Sequence, residues 1–163
     1  MPPEIIDRIV AIGSDHAGYS LKERLKAELA AMGYQVHDVG TASQESCDYP
    51  DFALAVAEAV GRGEASRGVL VCGTGAGMAM VANKVPGVRA AACNEAYTAE
   101  HCRLHNDANV LTMGARVVDD ETASRILKVF MESGFEGGLP GGTRHRRRVE
   151  KIRDVERTYM KER

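Results

Sequence analysis

Cys72 ends an apolar run, Gly68-Val69-Leu70-Val71, and is followed at once by Gly73-Thr74-Gly75-Ala76-Gly77-Met78. A thiol therefore stands where a buried strand gives way to a glycine-rich turn and then a helix. Backbone N–H groups at a helix start attract anions. The same positive end favours a nearby thiol as a base or nucleophile. A reactive group beside an anion cradle predicts chemistry on a small anionic substrate. The loop is not a Walker A loop, because no Gly-Lys-Ser/Thr follows. It is a poor dinucleotide fingerprint, because Met78 takes the place of the third glycine. It is no cysteine-phosphatase loop, because Met78 stands where that loop needs arginine. A plain tight turn is the bland alternative.

Three further constellations carry polar chemistry. Ser14-Asp15-His16-Ala17-Gly18 follows an apolar run, and an Asp-His pair at a strand end binds sugar hydroxyls or phosphate, or moves protons. Such a pair also simply caps helices. His105-Asn106-Asp107-Ala108-Asn109 directly precedes the apolar Val110-Leu111. His105 suits an acid or base and Asn106 an oxyanion donor, with ordinary Asn/Asp turn chemistry as the alternative. Arg116 and the run Arg144-His145-Arg146-Arg147-Arg148 form a cationic set. Arg144 and Arg148 lie four apart and share a helical face, and arginine forks grip phosphate bidentately. Cations at a helix start oppose its dipole, so this run asks for an anion nearby. His37, His101, Cys47, Cys93 and Cys102 read as surface or core residues. No metal is compelled, because no zinc or iron spacing is present.

The elements that position these groups follow from periodicity. Strands are predicted at 8–13, 34–39, 69–72, 88–93 and 109–113. Helices are predicted at 19–32, from Pro50 to about 60, from the glycine loop to about 83, at 95–104, after a cap at Asp119 or Asp120, and from about 145 to 159. Leu21, Leu25, Leu29 and Met32 share one face, and Gly33 is a natural stop. Residues 136–143 read as irregular. Strands alternating with helices predict an α/β three-layer Rossmann-like sandwich around a five-stranded parallel sheet. Ligands of such sheets lie beyond the carboxyl ends of the strands, where Ser14-Asp15-His16, Asp48-Tyr49 and Cys72–Gly77 gather.

The 163 residues fit one domain, spanning 1–163. Hydrophobic residues make up 44% and charged residues 27%, with a net charge of −2, so nothing draws the whole chain to nucleic acid or an acidic membrane. Four cysteines without CxxC spacing, and no visible signal peptide at Met1-Pro-Pro-Glu-Ile-Ile-Asp-Arg, predict free thiols in a cytoplasmic protein. No segment approaches the length of a membrane span.

Taken together the segments resemble the ribose-5-phosphate isomerase B family, which includes the galactose-6-phosphate isomerase subunits. The matching text is Gly-Ser-Asp-His-Ala-Gly (13–18), Asp-Tyr-Pro (48–50), Cys-Gly-Thr-Gly-Ala-Gly-Met (72–78), Ala-Asn-Lys (82–84) and Gly-Val-Arg-Ala (87–90). It continues with His-Asn-Asp-Ala-Asn-Val-Leu (105–111), Gly-Ala-Arg-Val (114–117) and Arg-His-x-x-Arg-Val (144–149). The resemblance runs from about residue 8 to 157, in family order and spacing. It implies aldose–ketose isomerisation of D-ribose 5-phosphate and D-ribulose 5-phosphate through an enediolate, with no cofactor. It further implies that Cys72 is the carbon base, that Thr74 orients or relays protons, and that His105 opens the sugar ring. Asp15 and His16 match substrate contacts. The N–H groups of Gly73, Gly75, Ala76 and Gly77, with Asn106, match the oxyanion set, and Arg116, Arg144 and Arg148 match the phosphate clamp. A homodimer or homotetramer with shared active sites is implied, the C-terminal helix packing on a partner. Relatives with a carboxylate base inside the loop have no counterpart here, since Ala76 and Met78 cannot serve. Leu139-Pro140-Gly141-Gly142-Thr143 is an insertion relative to the family pattern and lengthens the loop that delivers Arg144. A six-carbon substrate (allose or galactose 6-phosphate) and a non-catalytic sugar-phosphate-binding module are the alternatives.

Overall fold

In the three central strands, successive side chains go to opposite faces of the sheet, and nearly all of them are buried. Val10, Ile12, Val69, Val71, Leu111 and Met113 pack with Leu21, Leu25, Leu29, Ile126, Leu127 and Phe130 on one face. Ile9, Ala11, Leu70, Cys72 and Val110 pack with Val56, Ala57, Val60, Met78 and Ala82 on the other. Burial on both faces is what a parallel sheet covered by crossover helices requires.

A computed structural model describes residues 7–160. The reading of residues 1–6, and the outermost ends of the span 1–163, lie outside the described residues. The strands are β1 (Ile9–Ser14), β2 (Gln35–Asp38), β3 (Arg67–Cys72), β4 (Ala90–Ala92) and β5 (Val110–Gly114). All neighbours are parallel, in the order β2-β1-β3-β5-β4. The helices are α1 (Tyr19–Ala31), α2 (Tyr49–Gly61), α3 (Ala76–Ala82), α4 (Ala96–Asn106), α5 (Asp120–Glu132) and α6 (Thr143–Tyr159), with a short 3-10 turn at Glu136–Gly138. Helices α1, α4 and α5 cover one face of the sheet, α2 and α3 the other. The chain is the α/β three-layer sandwich that the alternation predicts. Among the described residues no helix is long and apolar enough to cross a membrane.

Three boundaries differ from the sequence reading for identifiable reasons. β4 is three residues long, not six. Asn109 takes the N–H of Arg89, so the ladder starts only at Ala90, whose two backbone groups the Asn83 side chain brackets. Helix α4 runs to Asn106 and is closed by Asp107 in the left-handed region (φ 48°), which places His105 and Asn106 in its last turn rather than in a loop. Helix α6 starts at Thr143, two residues before the predicted start, with Gly142 as its cap. Elsewhere the limits agree within a residue or two, the usual ambiguity of helix and strand ends. Asp119, not Asp120, caps α5, its carboxylate accepting from the Thr122 N–H at 2.8 Å.

Candidate active site

The sheet reverses its order of growth between β1 and β3, and ligands of open α/β sheets bind at that switch point. Asp15 follows β1 and Cys72 ends β3. The Asp15 N–H donates to the Val71 carbonyl at 3.3 Å, so the two segments are stitched side by side. Cys72 is buried, and its Sγ accepts the Gly75 N–H at 3.2 Å. That bond folds the loop back over the sulfur. Gly75 holds the loop's sharpest position, at φ 82°. A Cβ there would stand 2.9 Å from the Met113 carbonyl carbon, so β5 leaves no room for a side chain.

Two residues outside the motif hold the loop against β5. The Asn94 amide donates to the Thr74 carbonyl (3.1 Å) and accepts from the Gly114 N–H (2.8 Å). The Thr112 hydroxyl donates to the Gly75 carbonyl at 2.7 Å. Tyr49, at the start of α2, lies against Gly77: a Cβ on that glycine would meet the ring at 2.7 Å. The sequence reading placed Tyr49 at this edge but gave it no role, and it missed Asn94. The available signal was position, since Asn94 follows β4 and so stands at the same carboxyl edge.

The loop's own side chains use part of the cradle. The Ala76 N–H donates to the Thr74 hydroxyl at 3.3 Å, and the Gly75 N–H is taken by the sulfur. The first N–H groups of any helix lack intrahelical acceptors, and here they face an exposed mouth. Arg116 lies over the loop, its side chain 3.5 Å from where a Gly73 Cβ would be and its N–H donating to the Gly73 carbonyl at 3.1 Å. Asp15 gives one carboxylate oxygen to the Gly18 N–H at 3.1 Å, closing the turn into α1. His16 accepts the Cys47 N–H on Nδ1 at 3.2 Å. In the neutral ring that leaves the proton on Nε2, a donor suited to an anionic oxygen. Asp15, His16, Cys72, Gly73, Thr74, Gly75, Ala76, Gly77 and Arg116 therefore form one cluster.

His105, Asn106, Arg144 and Arg148 form a second cluster elsewhere. Helix α4 leaves the carboxyl edge after β4 and runs back to the opposite edge, where β5 begins. There the Gly68 N–H, near the start of β3, donates to the Asn109 carbonyl at 2.9 Å. Gly68 and Cys72 are four residues apart along β3, on the order of 13 Å at about 3.3 Å per residue. One chain therefore does not bring His105 and Cys72 to the same substrate carbon chain.

In this second cluster His105 stacks on His145 with ring centroids 4.1 Å apart and planes 2° from parallel. Its Nε2 lies 3.8 Å from a Glu136 carboxylate oxygen. His101 meets its edge at 5.1 Å, and Tyr97 stacks on His101 at 3.8 Å. Tyr97, His101 and His105 are spaced by four on α4, which puts the three rings in one row. Burial first, then the Arg144 guanidinium, push the His145 imidazole below its ordinary value. Arg146, in the middle of the basic run, is tied to the Gly137 carbonyl at 2.9 Å, and Arg144 reaches the Gly141 carbonyl at 2.8 Å. His105, Glu136 and His145 each bring one ligand-type atom within 4.8 Å of the others. The rings lie face to face rather than with nitrogen edges turned to a shared point, so the group reads as a stacked pair beside a carboxylate.

The other cysteines differ from Cys72 in setting. All four are free. Cys93 and Cys102 are buried with sulfurs 4.0 Å apart, and the Cys102 contact and burial push the Cys93 thiol up, away from thiolate chemistry.

Comparison with known proteins gives the family and the fold. The family model described as Ribose/Galactose Isomerase matches residues 10–152. The chain is 46% identical to the ribose-5-phosphate isomerase B of Escherichia coli over 147 residues, covering 90% of this chain and 95% of that one. It is 46% identical over 132 residues to a 4-deoxy-4-sulfo-D-erythrose isomerase of a Clostridium species, covering 80% of this chain and 82% of the other. Among solved structures, the Clostridium thermocellum ribose-5-phosphate isomerase B superposes with a TM-score of 0.88 at 49% identity, covering 93% of this chain and 99% of that chain.

Proposed function

Because the chain belongs to the ribose/galactose isomerase family and is a sugar-phosphate isomerase, we propose that it interconverts D-ribose 5-phosphate and D-ribulose 5-phosphate, with Cys72 as carbon base. The observation that carries this reading is the Cys72 loop at the sheet's switch point, a buried thiol under an open N–H cradle with Arg116 above it. Removing a proton from the carbon beside a carbonyl needs a base and a place for the resulting oxyanion. The thiolate of Cys72 takes the proton from C2 of the open-chain aldose, giving an enediolate. Its charge rests on the loop N–H groups and Asn106. The proton returns at C1 and leaves the 2-ketose, so the hydrogen moves within one molecule and atoms and electrons balance. Thr74 orients the hydroxyls, Asp15 and His16 hold the sugar, and Arg116, Arg144 and Arg148 hold the phosphate. That handle positions the reacting carbons.

His105 opens the furanose ring, and it reaches Cys72 only from a second copy of the chain. The exposed stripe on α6 supports such an assembly. Val149 is buried, whereas Ile152, Val155 and Tyr159 on the same helix stand exposed. They border a groove of about 440 Å³ that Val88, Ala91 and Cys102 also line. A partner covering α6 joins the two clusters into shared sites, one His105 cluster to each Cys72 cluster.

The test is turnover of ribose 5-phosphate with EDTA present, wild type beside Cys72→Ala. Wild-type turnover with a loss of roughly 10²–10⁴-fold in the variant is the expected result. Turnover that survives in Cys72→Ala names the wrong base. No wild-type turnover rejects this substrate. A second reading has its own support in the four-carbon substrate that the Clostridium relative's name gives. 4-Deoxy-4-sulfo-D-erythrose and, after the name of a Pectobacterium atrosepticum relative, D-erythrulose 4-phosphate are therefore assayed beside the allose and galactose 6-phosphates. Failure on all of them favours a non-catalytic binding module.

A further inference from the structure

His145 is 97% buried (3% exposed), yet neither of its ring nitrogens has a hydrogen-bond partner among the described residues. An unpaired buried polar atom is costly, and native proteins keep few of them. An apolar side chain of similar size would fill the space without that cost. What the imidazole does contribute is a flat face, 4.1 Å from His105 and 2° from parallel. Beside both rings, a Glu136 carboxylate oxygen stands 3.8 Å from His105 Nε2. The charged and titratable groups around the pair are Arg144 and Arg148 from α6, Glu136 from the 3-10 turn, and His101 from α4.

Building on the proposed function, we infer that His145 and Glu136 are positioning residues for ring opening. The stack fixes the plane of the His105 imidazole, and the carboxylate, 3.8 Å away and outside direct hydrogen-bond reach, favours a proton on Nε2 by its charge. Nδ1 of His105 has no protein partner among the described residues, and it is left to take the proton from the anomeric hydroxyl while the ring C–O bond breaks. The proton then passes to the ring oxygen that becomes the 4-hydroxyl, so nothing is gained or lost. A nucleophile or base oriented by a third group is the common pattern of acid–base sites. Here the insertion at 139–143 lies between the two orienting residues. It does not pull them apart, because the Arg146 side chain ties α6 to the Gly137 carbonyl.

The experiment separates ring opening from carbon deprotonation. Ribulose 5-phosphate cannot close to a furanose, because its 5-hydroxyl is phosphorylated. Exchange of its C1 hydrogen with D₂O therefore reports on Cys72 alone. In His145→Ala, kcat from ribose 5-phosphate falls about 10-fold or more with KM within about 2-fold, while C1 exchange stays within about 2-fold of wild type. His145→Phe restores most of kcat, because it keeps the flat face. The His105 ring protons, shifted upfield by the stack in the wild-type NMR spectrum, move back in His145→Ala and not in His145→Phe. Equal loss of turnover and exchange, no loss of either, or no rescue by phenylalanine each overturns the inference. An unchanged His105 spectrum in His145→Ala overturns it without reference to substrate. Absence of both turnover and exchange in the wild type rejects the functional reading instead, and the inference about ring opening with it.

Discussion

Replacing Gly75 with alanine tests whether the catalytic loop is held in one conformation by its contact with β5. Gly75 has φ 82° and Gly33, at the end of α1, has φ 88°. An alanine at either position takes on a left-handed backbone, at about 1 kcal/mol. The two sites differ only in space. A Cβ at Gly33 meets nothing within 4 Å, whereas at Gly75 it meets the Met113 backbone carbon at 2.9 Å and its Cα and N at 3.0 Å. Backbone atoms of a central strand cannot swing aside. Restoring an ordinary contact requires a shift of about half an ångström, taken up as bond-angle and dihedral strain of about 2 kcal/mol. Gly75→Ala is therefore destabilised by about 3 kcal/mol against about 1 for Gly33→Ala, or roughly 6–12 °C against 2–4 °C in Tm for a chain of this length. The shift also moves the N–H that bonds Cys72 Sγ. Misplacement of that order lowers kcat by roughly 10- to 100-fold, while Gly33→Ala keeps full activity. Scanning calorimetry and turnover measured on both variants read the two effects. Equal melting temperatures, or full activity in Gly75→Ala, would refute the claim that β5 pins the loop.

Asn94→Ala removes the two hydrogen bonds that tether Thr74 and Gly114. It should lower stability by about 1–3 kcal/mol and kcat with it, checked by the same two measurements. Asp38 is partly desolvated, but its bonds to Lys22 and Lys26 outweigh that and hold its carboxyl below the ordinary 3.8. A depressed folded value means stability that is present above the unfolded value and lost as pH falls through the folded one. Thermal denaturation followed down through pH 3.8 should show wild type losing stability there and Asp38→Asn giving a flatter profile from a lower starting point. A steeper profile in the variant would contradict the assignment.

The chain declares its sheet plainly, because five strand-like runs alternate with amphipathic helices and the three central ones are buried on both faces. It also declares the loop at Cys72, where a strand, three glycines and a helix follow without a gap. The length of β4 was not legible, because a side chain from elsewhere in the chain, Asn109, takes the Arg89 N–H and so decides where its ladder starts. Nor was the start of α6, set by the turn at Leu139–Gly142. The separation of the site residues into two clusters was readable in principle. A residue in the last turn of a crossover helix lies at the amino edge of the sheet, and His105 stands there once α4 is seen to reach Asn106. The stacking of His105 on His145 was not readable, since the two are forty residues apart and meet only through the packing of α6 on α4.

The central claim is that Cys72 of one copy works with His105 of another. It is tested most directly by co-expressing Cys72→Ala and His105→Ala chains with different tags and purifying the mixed dimer. In a two-fold dimer with shared sites, one site collects both substitutions and the other collects neither, so the mixed species recovers about half of wild-type turnover of ribose 5-phosphate. Each homodimeric variant alone stays near zero. A mixed dimer no more active than its parents would contradict the account and return both residues to a single chain's site.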